Sequence, residues 1–132
     1  MTEHRARAAL TRVTTAVFGS LLMAMPGSAL AGDPAAGKSV FNSSCGICHT
    51  VKPGDNKIGP TLFGVVGRQT GSVPDYTYSV ANQNAHLTWT DDELDKYLEA
   101  PRTIIPGTKM AYAGVKDATK RADLISYLNT LK

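Results

Sequence analysis

Apolar residues recur at helical spacing in three parts of the 132-residue chain, and this pattern predicts three main helices. The first helix starts after Asp33, because a capping side chain followed at once by proline is typical of a helix N-terminus. It leads toward residues 45–49, and its small or apolar residues share one face, namely Gly37, Val40, Phe41 and Ser44.

Two more helices are predicted in the C-terminal half of the chain. One starts at residues 90–93, which have the form of a capping box with acidic side chains in the first turn, and it ends at Pro101. The other starts near Asp117. Their apolar stripes are Leu94, Tyr97 and Leu98 in the former, and Leu124, Ile125, Leu128 and Leu131, with Tyr127 alongside, in the latter. A short helix is also predicted around residues 78–82.

Glycine and proline are frequent in residues 50–74 and 101–114, and neither segment alternates apolar with polar residues. Both therefore predict long loops in an all-α domain. Long loops are uncommon in a compact domain unless they pack against something, and an enclosed cofactor would provide that surface. A domain of about 100 residues has only a modest apolar core, which such a cofactor would enlarge.

Residues 1–31 have the pattern of a secretory signal peptide. Three arginines form a basic region, residues 13–25 are uncharged and mostly apolar, and residues 29–31 read small-x-small, as at a cleavage site. The apolar stretch is too short to span a bilayer core of about 30 Å comfortably as an uncleaved anchor. We therefore predict cleavage after Ala31 and a mature domain of residues 32–132.

The leader also carries most of the excess positive charge. The whole chain has 14 basic and 11 acidic residues, a formal charge of +3. Three arginines and one glutamate leave with the leader, so residues 32–132 have a formal charge of only +1. No basic cluster interleaved with aromatic residues is present, and nucleic-acid binding is not expected.

The segment Cys45-Gly46-Ile47-Cys48-His49 carries the clearest chemical signal. Two thiols three positions apart, followed at once by an imidazole, is the spacing of covalent haem attachment. Each thiol adds to one haem vinyl group, so the sulfurs must lie about a helical turn apart. The ring of His49 can then reach the iron from one face. The motif predicts one haem c, bound through Cys45 and Cys48.

Three other uses of a CxxC pair fit this chain less well. A zinc site needs two more ligands at similar spacing, and only His4 and His86 remain. A thioredoxin-like dithiol belongs to an alternating strand–helix pattern, which is missing here. A disulfide between residues this close would close almost no loop and add little stability.

Met110 is the candidate for the second iron ligand. It is the only methionine outside the leader, and it lies in the proline–glycine segment 106–110. A methionine usually fills a gap in a core, but this one lies in a loop without helical periodicity, between polar neighbours. His86 is the alternative ligand, although a histidine after a polar run such as residues 82–84 is more often solvated.

Taken together, these segments resemble class I cytochrome c, in particular the mitochondrial type and its bacterial relatives. The resemblance extends from residue 37 to residue 128. It is carried by Cys45 to His49, Gly59-Pro60, Gly67-Arg68, Trp89 and Pro106 to Met110. It implies a cytochrome c fold, in which three main helices, short helices and long loops surround one covalently bound haem, with His49 and Met110 as axial ligands. It also implies that Gly37 and Phe41 cross Leu124 and Tyr127 of the last helix.

The resemblance implies roles for residues around the haem as well. The Pro60 carbonyl would accept a hydrogen bond from the second ring nitrogen of His49, which orients the ring and raises its donor strength. Residues that match propionate-contacting positions are Arg68, Tyr78 and Trp89. Residues that match a polar network beside the methionine are Asn82, Tyr97 and Thr108. For Trp89, Tyr97 and Arg68, ordinary packing or surface exposure is the alternative.

An iron with two strong-field ligands has no open position for a substrate, so the predicted function is one-electron transfer, not catalysis. A thioether ligand and an apolar haem environment both favour the ferrous form and raise the potential. We expect a monomer that carries electrons from a cytochrome bc-type complex to a terminal oxidase or a reaction centre. The leader indicates a bacterial periplasm, because mitochondrial relatives are made without one.

Cationic side chains are candidates for a positive rim that steers docking to acidic partner surfaces, with simple solubilisation as the alternative. These residues are Lys57, Arg102, Lys109 and Lys116. The chain departs from the mitochondrial pattern nearby, since Ser39 and Ser44 replace usual lysines and Tyr112 replaces a usual phenylalanine. The rim is therefore expected to be weak, and salt should slow association only moderately.

Two other functions remain open at this point. A haem-based sensor or peroxidase-like enzyme would need Met110 to be absent from the iron. A non-haem dithiol or metal-binding module would carry no haem at all. The oxidised absorption spectrum separates the first from a carrier, and haem staining after denaturing electrophoresis tests the second.

Overall fold

The computed structural model describes residues 31–132, so the predicted leader lies outside the described residues apart from Ala31. The described part contains five helices: α1 Pro34–Ser44, α2 Val80–Gln83, α3 Asp91–Glu99, α4 Pro101–Ile104 and α5 Ala118–Asn129. Its β-type pairing is limited to a single bridge between Gln69 and Thr88. No helix within this range is long and apolar enough to cross a membrane. The predicted all-α architecture is confirmed.

Side chains cap the N-termini of the three longer helices where the sequence predicts them. The caps are Asp33, Thr90 and Asp117, which accept hydrogen bonds from the amides of Ala35, Glu93 and Lys120 at 2.8, 3.2 and 3.1 Å. Each bond satisfies an amide that has no partner inside the helix. The predicted starting points of α1, α3 and α5 are therefore confirmed.

Two details around α3 differ from the prediction. The capping box is only half formed, because the Glu93 carboxylate pairs with Lys96 at 2.8 Å instead of returning to the Thr90 amide. The segment 101–114 is not entirely loop. Pro101 ends α3 and also begins α4, since a proline fits the first turn of a helix, where its missing N–H costs no hydrogen bond.

Two smaller differences concern helix boundaries. The short helix expected around residues 78–82 is α2, which begins later because Ser79 caps it and accepts a hydrogen bond from the Asn82 amide at 3.1 Å. Ser44, predicted on the packed face of α1, is exposed. It is the last residue of α1, and the buried residues of this helix, Gly37 and Phe41, lie in its earlier turns.

The helices α1 and α5 cross at a point where glycine permits very close contact. A methyl group on Gly37 would overlap the carbonyl of Asp123 and lie 2.8 Å from the Cβ of Tyr127. The rings of Phe41 and Tyr127 pack with their centroids 5.8 Å apart. Leu124, which follows Asp123 on α5, is 1% exposed. This is the crossing that the resemblance implied.

A buried arginine, which the sequence analysis did not predict, joins α5 to α3 and to the chain after α4. Nε of Arg121 donates to the Asp95 carboxylate at 2.8 Å. One terminal nitrogen donates to the carbonyls of Val115 and Lys116, both at 3.0 Å. Arginine is rarely buried unless it is paired, and here the carboxylate and the two carbonyls supply its partners. These bonds fix the segment between Met110 and α5.

Gly37→Ala should destabilise the domain by about 3 kcal/mol, because the added methyl group forces α1 away from α5. Chemical denaturation of the haem-loaded protein measures the change. Ser39→Ala, at an exposed position of the same helix, is the control and should change the stability by less than about 0.5 kcal/mol. Equal stability of Gly37→Ala and the wild type would contradict the close crossing.

His86 has a positive φ of +50°, in the left-handed region that favours glycine. His86→Gly should therefore raise the free energy of unfolding by about 1 kcal/mol. Asn84→Gly is the matched control, because φ is −93° at Asn84 and a glycine there only adds freedom to the unfolded chain. Thermal denaturation of both variants should give shifts of opposite sign, and a destabilised His86→Gly protein would count against backbone strain at this residue.

Candidate haem-binding site

The CxxCH motif forms a compact turn directly after α1. The amides of Cys48 and His49 both donate to the Cys45 carbonyl, at 3.0 and 2.9 Å, so the two cysteines lie one turn apart. Both thiols are free and half-buried. Burial, together with the neighbouring Cys48, raises the pKa of the Cys45 thiol to about 11. The turn therefore places the two cysteines about one helical turn apart, as addition to two vinyl groups requires.

The His49 ring is held on two sides. Its Nδ1 lies 2.7 Å from the Pro60 carbonyl oxygen, which can only accept, so Nδ1 carries the proton and Nε2 keeps a free lone pair. The backbone at Gly59 packs on the ring, because a methyl group there would overlap it and lie 2.8 Å from Nε2. Burial lowers the pKa of His49, and the positive charge of Arg68 lowers it further. The hydrogen bond to Pro60 partly opposes this shift in pKa. The result is a neutral, oriented imidazole, as an iron ligand requires.

One polar side chain contacts the sulfur of Met110, and two others contact that side chain. The Tyr97 hydroxyl donates to Met110 Sδ across 3.7 Å. Burial raises the pKa of Tyr97, with the nearby Thr108 hydroxyl and Asn82 amide acting in the opposite direction. The Ser79 hydroxyl in turn donates to Oδ1 of Asn82 at 2.9 Å. The structure therefore brings Asn82, Tyr97 and Thr108 together beside the methionine.

Arg68 is anchored to loop carbonyls but keeps one donor free. Its terminal nitrogens donate to the carbonyls of Phe63 and Thr61, both at 2.9 Å. Its buried Nε has no hydrogen-bond partner among the described residues. An unsatisfied buried donor on a cation is uncommon and indicates a missing acceptor. A haem propionate has the charge and oxygen atoms to supply that acceptor, so Arg68 fits the cofactor.

Trp89 and Tyr78 connect Arg68 to the rest of the site. The Trp89 amide donates to the Arg68 carbonyl at 2.8 Å, and its ring centroid lies 4.7 Å from that of Tyr97. A continuous set of contacts therefore runs from Arg68 to Met110. The Tyr78 hydroxyl accepts from the Val73 amide at 3.3 Å. Burial raises the pKa of Tyr78, and the positive charge of Arg68 opposes the shift.

The role of Gly59 was not predicted from the sequence. In the sequence, the one indication of this role is that Gly59 precedes Pro60, whose carbonyl holds the His49 ring.

His86, the alternative iron ligand, is exposed. A zinc site is not supported within residues 31–132, because no three His, Cys, Asp or Glu side chains in this range come together to hold a metal ion.

The fold and the attachment turn define a protein that carries covalently bound haem. Comparison with known proteins gives its family, because the model of the cytochrome c family matches residues 34–132. The chain belongs to this family. It therefore binds haem c covalently through Cys45 and Cys48, as the motif predicted.

Individual relatives agree with this assignment. The chain is 55% identical over 106 residues to cytochrome c2 of Rhodopila globiformis, covering 80% of this chain and 100% of that protein. It is 50% identical over 101 residues to cytochrome c of Euglena viridis, covering 76% of this chain and 99% of the relative. Cytochrome cH from Methylobacterium extorquens matches in structure with a TM-score of 0.71 and 41% identity, covering 75% of this chain and 99% of that one.

Gly59→Ala should disturb His49, because the new methyl group would occupy the space of the imidazole. We expect a large loss of chains that carry haem in a low-spin state, measured by haem staining after denaturing electrophoresis and by the absorption spectrum. Gly46→Ala is the control within the attachment motif. A methyl group there meets its nearest atoms at 3.5 Å, an ordinary contact, and should leave the haem content unchanged. A normal spectrum for Gly59→Ala would show that the ring does not depend on this packing.

Proposed function

We propose that this protein is a one-electron carrier whose haem iron is bound by His49 and Met110. When bound, the haem supplies one-electron exchange between the ferrous and ferric states. The observation that carries the proposal is that neighbouring groups, a backbone carbonyl and a tyrosine hydroxyl, hold the two candidate ligands. His49 has its Nε2 free because Pro60 holds Nδ1, and the Met110 sulfur is held by Tyr97. If His49 and Met110 both bound the iron, no ligand position would remain open for a substrate, which supports a carrier.

The surrounding residues would adjust the potential and bind the propionates. The Pro60 hydrogen bond strengthens His49 as a donor. The Tyr97 hydroxyl draws electron density from the methionine sulfur, which favours the ferrous state. The free Nε of Arg68 would donate a hydrogen bond to a propionate, with Tyr78 and Trp89 beside this arginine. We assign Asn82 and Thr108 to the polar network that positions Tyr97.

The sequence and the relatives support a proposal for the partners and the compartment. The cytochrome c2 relative at 55% identity supports a bacterial carrier that exchanges electrons with membrane complexes. We propose a cytochrome bc-type donor and an oxidase or reaction centre as acceptor. The pattern of residues 1–31 supports export, cleavage after Ala31 and a periplasmic location for a monomeric carrier.

The cations of the predicted rim are exposed, and none of them forms an ion pair within residues 31–132. Three of them donate to backbone carbonyls: Lys57 to Gly46 at 2.8 Å, Lys109 to Thr77 at 2.9 Å, and Lys116 to Glu99. These bonds hold the ammonium groups close to the protein surface. They support a short-range electrostatic contact more than long-range steering.

The ligand assignment is tested by replacing Met110. Met110→Ala should abolish the weak far-red absorption of the oxidised protein, which reports methionine–iron bonding, and produce a high-spin spectrum. Met110→His should keep the iron low-spin but lower its potential, because imidazole stabilises the ferrous form less than a thioether does. Spectra and potentiometric titration measure both effects. A high-spin wild-type protein would instead support the sensor or peroxidase-like alternative.

A further inference from the structure

The chain is fixed to α5 before α1 begins. Ala31 is exposed, but Gly32, the next residue, is half-buried. A methyl group on Gly32 would overlap the carbonyl of Ala122 and lie 2.7 Å from the amide nitrogen of Asp123. The backbone of Gly32 therefore packs directly on the backbone of α5, as the backbone of Gly37 also does.

A hydrogen bond holds the following residue on the same turn of α5. The Asp33 amide donates to the Asp123 carboxylate at 2.8 Å. The Asp33 carboxylate accepts from the Ala35 amide, and the Asp33 carbonyl accepts from the Gly37 amide, both at 2.8 Å. Asp33 is therefore fixed twice, as the cap of α1 and as a neighbour of α5.

These contacts surround the peptide bond at which the leader is proposed to be removed. That bond joins Ala31 to Gly32. A peptidase binds an extended segment on both sides of the bond that it cuts, so cleavage takes place at exposed, mobile segments or after local opening. On the leader side Ala31 is exposed, but on the domain side Gly32 and Asp33 both contact α5. In the folded domain this bond is therefore a poor substrate.

Opening this segment costs free energy because three contacts are lost together. The cap of α1 is lost, the hydrogen bond between Asp33 and Asp123 breaks, and Gly32 leaves the surface of α5. Loss of a cap, or of a hydrogen bond to a charged group, each shifts an opening equilibrium by about fivefold or more. Cleavage through a transiently opened state is slowed by these factors together. Folding should therefore protect the bond by more than about tenfold.

We propose that the folded domain protects its own cleavage site, so that a signal peptidase removes the leader before α1 docks on α5. The inference rests on the export and cleavage proposed above. The reaction is hydrolysis of the bond between Ala31 and Gly32, in which water supplies the atoms for the new carboxylate and the new amino group. Because α1 positions the attachment turn, leader removal also precedes completion of the haem site.

The test uses the full chain in cells depleted of signal peptidase, where the exported precursor accumulates with its leader attached. Purified signal peptidase is added to membranes from these cells, and the haem-stained band on a denaturing gel shows how fast haem-loaded precursor loses its leader. The comparison is a variant with a six-residue glycine–serine spacer between Ala31 and Gly32, which moves the cleaved bond up to about 20 Å from α5. The wild-type precursor should be cut at least about tenfold more slowly than this variant.

A point substitution tests the contact with α5 directly. Asp123→Ala removes the acceptor of the Asp33 amide and should speed cleavage of the haem-loaded precursor about fivefold. Asp92→Ala is the matched control, because it also replaces a helical aspartate by alanine, at an exposed position of α3, and should leave the rate unchanged. In the spacer-containing precursor, Asp123→Ala should have no effect on the rate, since the cleaved bond there no longer lies on α5.

Several outcomes would overturn the inference. Equal cleavage rates for the wild-type and spacer-containing precursors would show that folding does not protect the bond, and equal acceleration by Asp92→Ala would remove the contact with Asp123 as the cause. N-terminal sequencing of the exported wild-type protein separates two kinds of failure. A first residue other than Gly32 would refute the cleavage site itself, whereas a first residue of Gly32 together with fast cleavage of the haem-loaded precursor would refute only the protection.

Discussion

The close crossing of α1 and α5 is the constraint on which the haem site depends. The helix α1 ends at Ser44 and the attachment turn begins at the next residue, so the cysteines are positioned by the way α1 lies on α5. Gly37 permits a separation that any larger side chain would prevent, and Phe41 packs on Tyr127 one turn further along. Burial of these apolar faces contributes much of the stability available to a domain of about 100 residues. A displaced α1 would move the attachment turn with it.

The methionine side of the site is fixed to the same framework. The Val115 amide donates to the Leu98 carbonyl at 2.7 Å, and Gly114 lies so close to the end of α3 that a methyl group would overlap it. The Arg121 guanidinium, on α5, also binds the Val115 carbonyl. The segment that follows Met110 is therefore held by α3 and α5 together. Because α1 also packs on α5, one helix fixes the position of both sides of the haem site.

What could be predicted from the sequence was local. The three longer helices are marked by caps and apolar stripes, and the attachment motif by its spacing. Met110 stands out because no other methionine lies outside the leader. The helix α4 was missed because four residues are too few for a periodic pattern. The free Nε of Arg68 and the packing of Gly59 on the imidazole both arise from residues that meet only after folding.

An electron carrier must recognise its partner and yet leave it quickly. Long-range charge mainly sets how often two proteins meet, whereas buried contact mainly sets how long they stay together. The formal charge is near neutrality, and lysines are bonded to the protein's own backbone. Both features weaken the long-range attraction that sets how often the two proteins meet. Contact at short range must therefore supply most of the recognition between a carrier of this charge and its partner.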